Sequence, residues 1–303
     1  MTTKRKEHTA LSLLLITALC CFFLAACGSS TKTPSARELC EGIQSGGDMA
    51  YTVNVLYTLT YPSEEASLTD NIPEEESFVS TYNINYDVQS TDSLSYAEGT
   101  EYYGWQEGTK EEDASDTTQA IQIWTVKSEG GSTAYVSDGS EDWYKQAADD
   151  GLEDAIANTL TWCKTASMDK LAMENLEELF LLTGTTDMEN IPVLSLVSQG
   201  LAEDAAANVQ LSFDRKDNKL FAASFTVTSQ TDLGDGTESM PSDFYCSVTI
   251  QMGEPDGELE MPDGIIEKAE ELENLYNDTE VLPEDAVSGN DTEETTKTVS
   301  GNN

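Results

Sequence analysis

Residues 49–61 read Met49-Ala50-Tyr51-Thr52-Val53-Asn54-Val55-Leu56-Tyr57-Thr58-Leu59-Thr60-Tyr61. Met49, Tyr51, Val53, Val55, Tyr57, Leu59 and Tyr61 share one parity. Ala50, Thr52, Asn54, Thr58 and Thr60 share the other, and only Leu56 breaks the pattern. A period of two puts the first set on one face of a long strand and the second on the opposite face. Such a strand buries one side and needs partners of similar length.

Those partners are legible on both sides. Phe78, Tyr82, Ile84, Tyr86 and Val88 predict a strand over 78–88, and Leu94, Tyr96 and Tyr102 a third over 93–103. Acidic loops are expected at 62–77 and 106–118. Strands over 119–128 and 132–137 flank Glu129-Gly130-Gly131 as a hairpin, and Trp143-Tyr144-Lys145 closes the block as a short strand. The alternation returns late in the chain. It runs through Val209, Leu211 and Phe213, then Phe221, Ala223, Phe225 and Val227. After a turn-rich loop at 231–241 it resumes in Phe244, Cys246, Val248, Ile250 and Met252.

Helical spacing fills the remainder. Ser35 and Glu38 form a capping-box pattern before a helix over 36–45, which Gly46-Gly47 would stop. Leu152, Ala155, Ile156, Thr159, Leu160 and Cys163 make one helix face. Further helices are expected over 168–178, over 191–205 with Pro192 in the first turn, and over 264–276. Residues 180–183 read as a strand. The C-terminal strands need partners from the first block, so one α+β domain over 35–276 is expected, followed by a disordered acidic tail at 277–303.

Composition narrows the chemistry. The 303 residues hold 57 Asp+Glu against 15 Lys+Arg, a net charge of −42, with one His. So negative a chain lacks the basic footprint that nucleic acid requires. The single His8 lies in an N-terminal segment of export type: Lys4, Arg5 and Lys6, then an apolar run to Ala26. If residues 1–26 are removed, no imidazole remains for a catalytic triad or for metal ligation.

Leu24-Ala25-Ala26-Cys27 resembles the bacterial lipobox. That resemblance implies diacylglyceryl attachment at Cys27 and a small polar tether over 27–34. It further implies anchorage on the outer face of the bacterial cell membrane. Downstream, the order is tether, short helix, long antiparallel meander, Trp-Tyr strand, central helices and more strands, closing on Leu259-Glu260-Met261-Pro262. This looks like the LolA/LppX-like superfamily, and in particular its uncharacterised Gram-positive lipoproteins. The implied fold is a half-open, curved antiparallel β-barrel with helices covering the concave face. The implied role is binding an apolar ligand, such as a lipid, in the hollow, without catalysis or cofactor. The faces that could line it carry Tyr51, Val53, Val55 and Tyr57, Tyr82, Ile84 and Tyr86, and Phe244, Val248 and Ile250. The alternative is an acidic surface module for a protein or cation partner, with no ligand cavity. A polysaccharide hydrolase built on paired carboxylates is the weakest of the three.

Other motifs are better read as structure. Ser167-Met168-Asp169-Lys170 has the Ser-x-x-Lys spacing, but its companion motifs are absent, so Ser167 reads as a helix cap. Asp138, Glu141 and Asp142, and Asp232, Asp235 and Glu238, lack calcium-loop spacing and read as solvated acids, so no metal is expected. Cys40, Cys163 and Cys246 fall on apolar faces and read as buried thiols, with one disulfide plus one thiol as the other option. Tyr102, Tyr103 and Trp105 could stack a sugar but read more simply as rim packing.

Overall fold

The computed structural model describes residues 33–62, 77–107, 114–148, 151–165, 171–198, 205–232 and 241–271. The export segment, Cys27, Ser167, Asp235, Glu238 and the acidic tail lie outside the described residues, as do most of the expected acidic loops.

Helix α1 (Ala36–Glu41) opens the described chain, and its capping box forms as its sequence predicts: Ser35 Oγ accepts from Glu38 N, and Glu38 accepts from Ser35 N at 2.7 Å. A meander follows: β1 (Met49–Pro62), β2 (Ser77–Ser90), β3 (Leu94–Glu107), β4 (Ala114–Val126), β5 (Thr133–Ser137) and β6 (Tyr144–Ala147). Helix α2 (Leu152–Thr165) leads to β7 (Ala172–Asn175) and β8 (Leu179–Asp187). A 3₁₀ turn (Met188–Asn190) and α3 (Pro192–Ser198) precede β9 (Ala206–Asp214), β10 (Leu220–Asp232) and β11 (Pro241–Gly253). Helix α4 (Ile265–Lys268) and β12 (Glu270–Glu271) end it.

All twelve strands form one unclosed, curved sheet in the order β12-β6-β5-β4-β3-β2-β1-β11-β10-β9-β8-β7. The two meanders join where β1 pairs antiparallel with β11, Val53 opposite Ile250 and Val55 opposite Val248. Among the described strands, only β12 and β6 pair in parallel. The odd residues of β1 lie in register with the even residues of β2 and β11, so Val53, Tyr86 and Ile250 share one face, as do Val55, Ile84 and Val248. We call this the inner face. Its buried side chains form a single apolar cluster with Leu39 and Cys40 of α1, Ile156 and Leu160 of α2, and Val193 and Leu194 of α3. Thr159 fastens two of these helices together: its Oγ1 donates to Ala155 O at 2.7 Å and accepts from Val193 N at 3.0 Å. That satisfies one of the amides α3 exposes in its first turn.

The outer face carries a second, smaller core. Trp124, Tyr135 and Ile265 are its buried members, with Tyr96, Trp143, Leu259, Met261 and Ala269 around them. The segment after β11 therefore crosses the back of β3–β6 and ends as an edge strand on β6.

Four expectations are corrected. The helix over 168–178 is not formed in the described part: Ala172–Asn175 is β7, paired with β8. Helix propensity there is strong, but pairing with β8 seats Met173 opposite Leu182 against the core, and tertiary packing overrides propensity. The helix over 264–276 shrinks to four residues, because Glu270 and Glu271 pair with Tyr144 and Lys145 and cover the edge of β6. The helix over 191–205 is seen only as Pro192–Ser198, and Ala205 is already non-helical, its carbonyl accepting from Met188 N. In β10, a register shift between Leu220 and Ala222 turns Phe221 outward, 42% exposed, and sends Leu220 into the core instead.

Candidate ligand-binding site

A cavity of about 250 Å³ lies between the inner face of β1–β5 and the first turns of α2. Its walls are mostly apolar: Val53 of β1, Tyr86 and Val88 of β2, Ala97 of β3, Ile123 of β4, with Leu152 and Ile156 closing it from the helix. This composition follows from the inner-face parity, since α2 lays its apolar stripe over strands whose inward residues are Val, Ala and Ile.

One rim is polar and built. Glu153, in the first turn of α2, lies 3.8 Å from the ammonium of Lys127, which follows β4 directly. Both side chains are largely buried, 25% and 19% exposed for Lys127 and Glu153. Ser95 Oγ donates to the same Glu153 oxygen, and Lys127 Nζ donates to Ser90 Oγ at 2.8 Å. Burial pushes the Glu153 carboxyl above the usual carboxylate range, and the Ser95 bond and Lys127 pull it back only in part. The neighbouring Tyr51 phenol is raised by its own burial, and then by Glu153 and Asp154. The result is an apolar pocket with a cation–carboxylate pair at its mouth, an arrangement that takes an apolar body and orients a polar end.

Of the ten inner-face residues expected to line a hollow, Val53 and Tyr86 do so. Tyr51, Val55, Ile84, Phe244, Val248 and Ile250 are core, fully or nearly buried in the main cluster. Tyr57 and Tyr82 are half-buried at the periphery, Tyr57 edge-on to Phe244 at 5.4 Å. Lys127 and Glu153 went unnoticed in the sequence. The available signal was an acid set between Leu152 and Ile156, beside the apolar stripe of α2.

The other candidates fall apart or stay structural. Tyr102 points to the outer face and covers Gly104, whereas Tyr103 and Trp105 point inward, so the three form no common platform. Trp105 stacks on Phe78 at 5.4 Å. Asp138 accepts from Ser140 N at 3.0 Å within its own turn. No group of three metal-ligating side chains forms among the described residues. Cys40, Cys163 and Cys246 are buried free thiols, and burial raises those of Cys40 and Cys246 to about 11 and about 12.

No family model matches the chain, and no curated protein matches it. Among solved structures, LprF from Mycobacterium bovis is similar over 77% of this chain and 99% of its own, at 13% identity and a TM-score of 0.36. The translocator domain of autotransporter NalP from Neisseria meningitidis is similar over 68% of this chain and 88% of its own, at 7% identity and a TM-score of 0.12. These likenesses are loose, and neither transfers a ligand or a site to this chain.

Proposed function

We propose that this chain is a non-catalytic binding protein. A half-open barrel, its concave face covered by helices, would take a single acyl tail or an apolar group of similar size. The cavity between β1–β5 and α2 carries this reading: apolar walls with the Lys127–Glu153 pair at one rim. Its volume of about 250 Å³ lies just under the ~300–1,000 Å³ of drug-sized ligand pockets. That favours one tail over a whole multi-chain lipid. Glu153 lies 3.8 Å from the Lys127 ammonium, an arrangement suited to orienting a polar end. The lipobox-like Leu24–Cys27 supports a further part of the proposal, that an acyl anchor on Cys27 holds the domain at the outer surface of a bacterial membrane.

The test uses the purified protein with 1-decanol and decanoate as probes, read by native mass spectrometry and calorimetry. Saturable binding that Ala97→Leu abolishes by filling the cavity is the expected result. Binding unaffected by Ala97→Leu, or none by either probe, overturns the assignment. Metabolic labelling with an alkynyl fatty acid, lost in Cys27→Ser, checks the anchor separately.

A further inference from the structure

A second constellation lies on the inner face, next to the cavity, with which it shares Tyr86. Tyr57, Tyr82 and Tyr103 stand opposite one another on β1, β2 and β3, so the register makes a row of three phenols across adjacent strands. Adjacent strands are ~4.8 Å apart, so the three phenols are cross-strand neighbours on one face. In the next rung, Glu101 lies opposite Ile84, beside Tyr82 and Tyr86. The Tyr86 hydroxyl donates to Glu101 Oε1, and the Tyr82 hydroxyl bonds the same carboxylate. Tyr103 is 51% exposed, and Tyr57, Tyr82 and Glu101 are half-buried, so the row is open to solvent.

Two phenols donating to one carboxylate have a consequence for their rings. Donation moves electron density into the aromatic system and strengthens the negative ring face that attracts a cation. Burial and Glu101 hold both phenols in the neutral, donating form. The carboxylate adds a full charge beside the row. A divalent metal would need six or more oxygen ligands, and one carboxylate with phenols does not supply them. A weakly hydrated cation needs aromatic faces and one counter-charge, which are the groups present. The chain's net charge of −42 also concentrates cations around it.

We propose that Tyr82, Tyr103 and Glu101, flanked by Tyr57 and Tyr86, form a site for an alkylated ammonium group. The site shares Tyr86 with the wall of the acyl cavity but does not require that cavity to hold a ligand.

The probes are choline and its uncharged isostere 3,3-dimethylbutan-1-ol, titrated into the purified full chain at matched ionic strength and followed by NMR and calorimetry. Choline is expected to bind saturably and at least about tenfold more tightly than the isostere. Glu101→Gln should weaken choline by about tenfold, and Tyr103→Leu, at an exposed position that folding does not need, should weaken it too. Glu98→Gln removes the same charge from the outer face of the same strand and should leave choline unchanged. Equal binding of the isostere, equal loss in Glu98→Gln and Glu101→Gln, or no saturable binding of choline overturns the proposal.

Discussion

Glu153 Oε2, in the first turn of α2, lies 3.8 Å from Lys127 Nζ, which follows β4. The pair joins α2 to the sheet, and both residues line the cavity. An ion pair this sheltered is costly to break from one side, because the survivor keeps its desolvation cost. Lys127→Met keeps the length of the side chain, removes the charge and leaves the Glu153 carboxylate with Ser95 as a hydroxyl donor. The expected loss is about 1–3 kcal/mol, read from urea unfolding. The double variant Lys127→Met/Glu153→Gln should recover much of it. A double variant as unstable as Lys127→Met alone would show that the pair is not the source of the effect.

The same carboxyl sets a pH dependence. Its folded-state pKa is raised, chiefly by burial, so the folded protein holds this proton to higher pH than the unfolded chain does. The contribution to stability is therefore present below the ordinary carboxylate range and is lost as pH rises through the raised value. Glu153→Gln stays neutral throughout. The Tm of Glu153→Gln relative to the parent should climb as pH rises above the ordinary carboxylate range. Taking this difference cancels the relief of self-repulsion that every other acid contributes on acidification. A difference that is flat or falls with pH contradicts the assignment.

Thr159 is a polar side chain in the main core whose hydroxyl serves two backbone groups, Ala155 O and Val193 N. Thr159→Val is nearly isosteric and leaves the Val193 amide without that partner. A loss of about 1–3 kcal/mol is expected. Thr159→Ser keeps the hydroxyl and should cost less, which separates the hydrogen bond from the methyl packing.

The strands were readable because alternation is a local property. The odd residues of 49–59 lie on the core-facing side as the pattern requires, and the capping box at Ser35 and Glu38 forms as written. What failed depended on distant partners. Nothing within 168–178 announces that β8 offers an edge, and nothing within 264–276 announces the exposed edge of β6. Phe221 keeps perfect alternation on paper, and a bulge beside Leu220 still turns it outward. The cavity was hidden for the same reason: Lys127 and Glu153 meet only after a meander and a helix have been placed. The tyrosine row needed the register of three strands, which the spacing of Tyr57, Tyr82 and Tyr103 does not reveal.

Gly99 supplies the sharpest test of the curved sheet. It sits on the inner face between Ala97 and Glu101, opposite Tyr86. A Cβ at this position would lie 1.9 Å from Asn85 O and 3.0 Å from Tyr86 Cα, both backbone atoms of β2 that no side-chain rotation can move aside. The close approach of β3 to β2 is thus possible only with glycine, as at bends where one backbone presses on another. Gly99→Ala must push the strands apart beneath the cavity wall and beside the Glu101 carboxylate. The expected cost is at least about 1–3 kcal/mol, in the range of overpacked cores. Gly46→Ala, with no heavy atom within 4 Å of the added carbon, should be close to neutral and serves as the control. Urea unfolding of both variants checks the contrast. If the strands do part, choline binding at Glu101 should weaken in Gly99→Ala even where the domain stays folded, because the phenol–carboxylate geometry spans the same two strands. Equal stability of the two variants would mean that β2 and β3 are not pressed together at this point.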